Sequence, residues 1–553
     1  MPAMIRIFAI FLLLAPLSAW AKGQVPEKKD DALTAVLAGE FAYQAGQLPE
    51  AARWYLQAAR EGDDAGLAER ATRIALLAGD DTGAAQALRL WRARAPESLA
   101  MGAAEATLAL RRDASRVALR ELRALLAAPE GQGWRYALRA LASGGKDPAL
   151  SAQLLGRLMD EGAIPDNLQA WLMFAGLAQQ LDQPDLAERM VADTVRRFPN
   201  EPRVALLHAS QLRNAGRKDE ARQVLLAMHD TALLVPELRL SIAAEYDAMD
   251  DARAAAGVLA LGDQDNHSYA LRASLLAKVE DKEALGALYE ELRVGSSQPD
   301  PARRLLLGQV AEFLEHHEDA LVWYRSVPGG QVAIEARLRA ANVLYTLGRK
   351  EDALAEVRAM QRDAAIDDEA RRAAYLVEAE LHQKGEGKVE ELDALARGLA
   401  AYPDDPALLY ARGLTWERRD DIERAEADFR RILVTDPENV AALNALGYTL
   451  ADRTTRYQEA LELIDRARAA QPENAAIIDS YGWVLYRLGR HEEALVHLRH
   501  AFTLMKDPEV AAHIGEVLWV LGRQDEARHY FDEARKLDPE NRSLLRALEL
   551  TGA

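Results

Sequence analysis

A repeat constrains this chain more than any other feature. Gly482, Gly489, Ala494, Leu498 and Ala501 recur as Gly515, Gly522, Ala527, Phe531 and Ala534, each 33 residues later, and Asp538-Pro539 closes the unit. Small residues at these places let two antiparallel helices approach closely. The second glycine of each set sits at the turn, and proline ends the unit because it cannot continue a helix. A helix pair of about 34 residues cannot bury its apolar face alone, so it stacks on copies of itself.

The same offsets appear at the start of the chain, in Gly39, Gly46, Ala51, Tyr55 and Ala58. From Ala51 the equivalent positions fall at Ala84, Ala118, Ala152, Ala187, Ala221, Ala255, Ala284, Ala320, Ala353, Glu391, Ala425, Ala460, Ala494 and Ala527. Most steps are 33 to 35 residues; those of 29 into Ala284 and 38 into Glu391 stand out. Alanine is abundant, so two further registers decide the matter. Glycine recurs twelve and five residues before the marker alanine, as at Gly308, Gly413, Gly79, Gly216 and Gly348. Proline recurs twelve after it, as at Pro96, Pro199, Pro403, Pro437 and Pro472. No period-two alternation competes with this pattern. The expected fold is all-α, a superhelical solenoid of roughly fifteen helix pairs, several of them degenerate.

The rhythm breaks at Val294-Gly295-Ser296-Ser297-Gln298-Pro299-Asp300-Pro301, and again at Lys384-Gly385-Glu386-Gly387-Lys388. Gly, Ser and Pro together mark a longer connection. The expected division is therefore 22–297 and 298–553, as two parts of one winding array, with Arg542 to Leu550 as a closing helix over the last pair. At the other end Arg6 precedes the apolar run Ile7 to Leu17, and Ala19-Trp20-Ala21 supplies small residues before Lys22. This predicts a signal peptide over 1–21, because a transmembrane helix needs about 20 apolar residues. The competing reading is an uncleaved N-terminal anchor. With cleavage, the mature protein would be soluble beyond the inner membrane.

Composition narrows the chemistry. Lys+Arg number 68 against 87 Asp+Glu, for a net charge of −19. Such a balance suits neither a phosphate backbone nor an anionic membrane face. The chain has no cysteine. That excludes disulfides, thiolate nucleophiles, cysteine-ligated metals and an N-terminal lipidated cysteine. The glycines of 384–388 lack phosphate-loop spacing, and Gly131-Gln132-Gly133 lacks the third glycine of a dinucleotide fingerprint. His491, His497 and His500 cluster on one helix pair, but no HExxH spacing is present and they read as a solvated face. There is no GxSxG elbow and no separable carboxylate pair. No catalytic, cofactor-binding or metal-ligating residue is expected.

An aromatic set does stand out. Offsets of three and four put residues on one side of a helix. On the first helices of the C-terminal pairs one side should carry Tyr410, Asn444, Tyr448, Asp479, Trp483, Tyr486, Glu516 and Trp519, facing the concave surface. Rigid aromatics beside single polar groups are what a protein-binding groove uses. The alternative for any one of them, Trp519 above all, is packing against the next repeat.

The repeat pattern is that of tetratricopeptide (TPR) proteins. Ala442-Leu443-Asn444-Ala445-Leu446-Gly447-Tyr448, Ser480-Tyr481-Gly482-Trp483 and Val510-Ala511-Ala512-His513-Ile514-Gly515-Glu516 resemble one TPR family in particular. That family is the periplasmic adaptor known as the lipoprotein binding partner of a carboxyl-terminal processing protease. Leu37-Ala38-Gly39-Glu40 and Ala68-Glu69-Arg70-Ala71 continue the likeness upstream. The resemblance implies a non-catalytic periplasmic adaptor that binds and activates a PDZ serine protease and delivers peptidoglycan hydrolases to it. The family's best-known members carry a lipidated cysteine, which this chain lacks. A second reading is a scaffold or chaperone for an envelope or polysaccharide-export assembly without a protease.

Overall fold

The computed structural model describes residues 28–129, 131–144, 148–294, 300–385 and 387–553. The expected signal peptide, 1–21, lies outside them, as do 295–299 of the Gly/Ser/Pro connection and Glu386 of the second irregular stretch. Among the described residues 32 helices follow one another with no strand between them. This is the all-α array that the repeat demanded. The chain divides into two compact units at Leu275/Leu276.

The first unit opens with the helix pair Lys28–Gln44 and Leu48–Glu61. Its marker alanines are buried: Ala51, Ala84, Ala118, Ala221 and Ala255 have no exposed surface. Larger side chains fill the space between successive pairs, with Trp91, Trp134, Trp171 and Phe174 all buried. The helix interfaces thus alternate small contacts with bulky fillers, as close packing requires.

In the second unit, the pair Ala475–Arg487 and His491–Leu504 shows why the glycine register exists. A Cβ on Gly482 would sit 2.7 Å from Leu498 Cγ and 3.2 Å from the Ala494 carbonyl oxygen. The helices touch backbone to side chain there, and no larger residue fits. At the turn Gly489 has φ of +80°. Where glycine is missing, an acid makes the same turn: Asp113, Asp182, Asp250, Glu315 and Asp420 all hold positive φ. Aspartate tolerates the left-handed region because its short polar side chain bonds locally. These repeats look degenerate in the glycine register yet keep the turn geometry.

One marker position needs correction. Ala284 is only partly buried, whereas Leu285 is 1% exposed, and Glu280 takes the positive-φ turn five residues before it. The equivalent residue is therefore Leu285. Alanine abundance had hidden a one-residue offset.

Helix starts in the C-terminal repeats are specified by short polar caps. Asp405, Asn439, Asn474, Asp507 and Asn541 each accept a hydrogen bond from a backbone N–H of the first turn. Each such cap contributes about 1 kcal/mol. The second helices of the last three pairs instead follow Arg456, Arg490 and Arg523, whose side chains make no cap, whereas Ile422–Thr435 keeps one from Asp421. The first helices are thus held from their own ends as well as by packing.

Candidate functional site

Four first helices, Pro406–Arg418, Val440–Arg453, Ala475–Arg487 and Pro508–Val520, turn one face each toward a shared hollow. The closing helix Arg542–Thr551 borders it on the fifth side. The hollow encloses about 760 Å³. Tyr410, Asn444, Tyr448 and Asp479 line it, together with Glu417, Asp452 and Glu509. The Asn444 side-chain oxygen is buried there without a hydrogen-bond partner.

Trp483, Tyr486 and Glu516 lie along a neighbouring hollow of about 440 Å³, which shares Asp452 and Arg546 with the first. Trp519 borders neither. It is half-buried, with the Arg528 guanidinium 5.6 Å from its ring centre. Trp483, which the sequence reading sets among open aromatic residues, is 1% exposed. Its ring stacks on His513 at 4.0 Å and 19°, and its indole N–H donates to Asp452 at 3.2 Å. Trp483 is therefore a wall between repeats, and only the side chains around it meet the open space.

The centre of the site is His513, which the sequence reading did not single out. It has no exposed surface. Its Nδ1 lies 2.9 Å from Asp479, and its Nε2 is 3.4 Å from the Tyr448 hydroxyl and 3.9 Å from Glu509. Burial alone would lower its pKa, but Asp479 and Glu509 outweigh burial and hold the imidazole above its ordinary value. Tyr448 donates to Glu509 at 2.6 Å, and so does the Ser543 hydroxyl at 2.8 Å. Burial opposes ionisation of Glu509, yet His513 and these two donors keep its pKa below the usual carboxylate value. The Tyr448 phenol is pushed well up by burial, with Glu509, Asp452 and Asp479 adding to the effect.

This network ties repeats to each other across the hollow. Tyr448 and Glu509 are 61 residues apart, and Asp452 and Arg546 are 94 apart. Sequence reasoning missed Asp452, Glu509, His513 and Arg546 because each looks like an ordinary helix-surface polar residue. The available signal was helical spacing: Asp452 follows Tyr448 by four, and Glu509, His513 and Glu516 follow one another by four and three.

Chemically the hollow offers hydrogen-bonding and charged groups beside aromatic rings. His513 is sealed from solvent, and no serine, threonine or cysteine nucleophile faces it among the residues within hydrogen-bonding distance. Among the described residues no group of three or more His, Asp or Glu side chains is arranged to hold a metal ion. None of the described helices is long and apolar enough to cross a membrane.

A tetratricopeptide-repeat family model matches residues 368–538. The chain is 35% identical over 505 residues to the TPR repeat-containing protein PA4667 of Pseudomonas aeruginosa, an alignment spanning 89% of this chain and 84% of that one. It is also 29% identical over 143 residues to the type IV pilus assembly protein PilF of the same organism, spanning 25% of this chain and 55% of PilF. Among solved structures, a tetratricopeptide repeat protein from Parabacteroides merdae superposes with a TM-score of 0.35 at 16% identity, covering 48% of this chain and 99% of that one.

Proposed function

This chain belongs to the tetratricopeptide-repeat family, and from that premise we propose that it is a non-catalytic adaptor of the bacterial envelope that binds protein partners through its C-terminal concave hollow. One observation carries the reading: five helices converge on a hollow of about 760 Å³ that mixes aromatic rings with polar groups and includes a buried, unpartnered amide oxygen. A buried polar atom without a partner costs about 1–3 kcal/mol. An extended or helical segment of another protein can recover that cost by donating to Asn444.

The partners that the family resemblance implies are a carboxyl-terminal processing protease, which the adaptor would activate, and the cell-wall hydrolases it would deliver for degradation. The place of action is then the periplasm. The similarity to a pilus assembly protein supports a second reading, a scaffold for an envelope assembly with no protease involved.

Affinity capture from envelope extract, comparing the wild-type chain with Asn444→Arg, separates these. The adaptor reading expects a PDZ serine protease among the captured proteins and its loss in the variant, with the melting temperature unchanged. Capture of export or pilus components alone, lost in the same variant, favours the scaffold. Capture that ignores Asn444→Arg overturns the hollow as the binding site.

A further inference from the structure

The closing helix has two faces with different duties. Leu544 and Ala547 are fully buried against the last helix pair, which is the ordinary work of a cap on a repeat array. A cap needs nothing more. Yet Arg542, Ser543 and Arg546 turn the other way, into the hollow. Arg542 comes within 3.6 Å of Glu417, Ser543 bonds to Glu509, and Arg546 donates to Asp452 at 2.5 Å while its guanidinium lies 4.8 Å above the Trp483 ring.

Arg546 is poorly satisfied where it sits. Its Nε and Nη2 are buried without a hydrogen-bond partner, and Glu516 Oε2, 3.6 Å from Nη2, is likewise unmatched. A buried ion pair stabilises only when its remaining donors and acceptors are met. A guanidinium free to approach from the open side could engage both Asp452 and Glu516. Charge points the same way. Without the closing helix, the lining acids Glu417, Asp452, Asp479, Asp507 and Glu509 outnumber the lining arginines, Arg418 and Arg453.

We propose that the closing helix is a displaceable latch, and that its Arg546 occupies an acidic slot, Asp452 with Glu516, which an arginine on a helical segment of a partner protein takes over on binding. The inference rests on the reading of the hollow as a protein-binding site and adds the chemistry of the partner and a means of regulation. A latch closed in most molecules conceals affinity, because the apparent Kd rises by the inverse of the open fraction.

The probe is a fluorescently labelled synthetic peptide with the sequence of Asn541–Ala553, added to the full-length protein. Three results are expected. Arg546→Ala should bind the peptide about tenfold more tightly than the wild type, corresponding to a latch closed about nine-tenths of the time. Adding Asp452→Asn to Arg546→Ala should remove the gain, and so should replacing the peptide's second arginine by glutamine. In the wild-type chain, which needs no variant to fold, saturating peptide should speed hydrogen exchange in 542–551. Equal affinity of wild type and Arg546→Ala, a gain that survives Asp452→Asn, or unchanged exchange in the closing helix overturns the latch. Capture of a protein partner that is lost in Asn444→Arg would still stand after any of these results, so the two readings fail separately.

Discussion

The Arg546 side chain reaches back 94 residues to donate to Asp452, and on the way it covers the ring of Trp483. One contact thus joins the closing helix to a helix three pairs earlier and seals the indole beneath. The C-terminal repeats are held by bonds across their hollow as well as by nearest-neighbour stacking. An array with such cross-links should unfold there as a larger cooperative unit than a simple stack.

Trp483→Ala should therefore act on stability before binding. The side chain is 1% exposed and stacked on His513. Removing a buried aromatic costs about 3–5 kcal/mol. Urea denaturation followed by circular dichroism should show a lower midpoint for the C-terminal transition, with partner capture lost only under conditions that unfold it. A variant that melts normally but fails to bind would place Trp483 at the contact surface.

Gly482→Ala tests the packing of a single pair. The added methyl would stand 2.7 Å from Leu498 Cγ, so the Leu498 side chain or its helix must shift. Overpacking of this kind costs about 1–3 kcal/mol. Hydrogen exchange should quicken in the pairs on either side of residue 482, because each pair is stabilised by its neighbours. Exchange altered only within 475–504 would contradict the coupling.

The buried imidazole predicts a pH dependence. His513 has its folded-state pKa raised above the unfolded value, about 6.5. The folded state then binds more protons, so this contribution is full below the unfolded pKa and disappears as pH rises through the folded one. Asp479, whose pKa burial raises, works in the same direction at lower pH. Glu509, Tyr448 and Arg546 also face the ring or its partners. The unfolding free energy of the wild type should fall more between pH 6 and pH 9 than that of His513→Gln. Parallel profiles would mean that His513 is neutral in the folded protein.

Much of the architecture was legible because it rests on sterics that leave residue-level marks. A close helix contact like that at Gly482, or a turn like that at Gly489 with φ of +80°, leaves glycine at the equivalent place of several repeats. The markers failed where a second residue type satisfies the same geometry, as Asp113, Asp182 and Asp420 do at turns. The site was legible only in part. Spacing placed Tyr410, Asn444, Tyr448 and Asp479 on one surface, and they line one hollow. Spacing within a helix cannot show how tightly successive helices curve. That curvature decides that Tyr448 reaches Glu509, that Trp483 is covered, and that Arg546 meets Asp452.

The most direct test of a protein-binding hollow is site-specific photo-cross-linking. Tyr410 lines the hollow, and p-benzoylphenylalanine at this position keeps the phenyl ring and extends a photoreactive benzoyl group from the place of the hydroxyl. Val496, 66% exposed on a second helix and absent from the hollow's lining, serves as the control position. Irradiation in envelope extract, read by mass spectrometry, should yield a defined protein adduct at position 410 that Asn444→Arg abolishes, and none at 496. The same adduct at 496 with none at 410 would contradict the account.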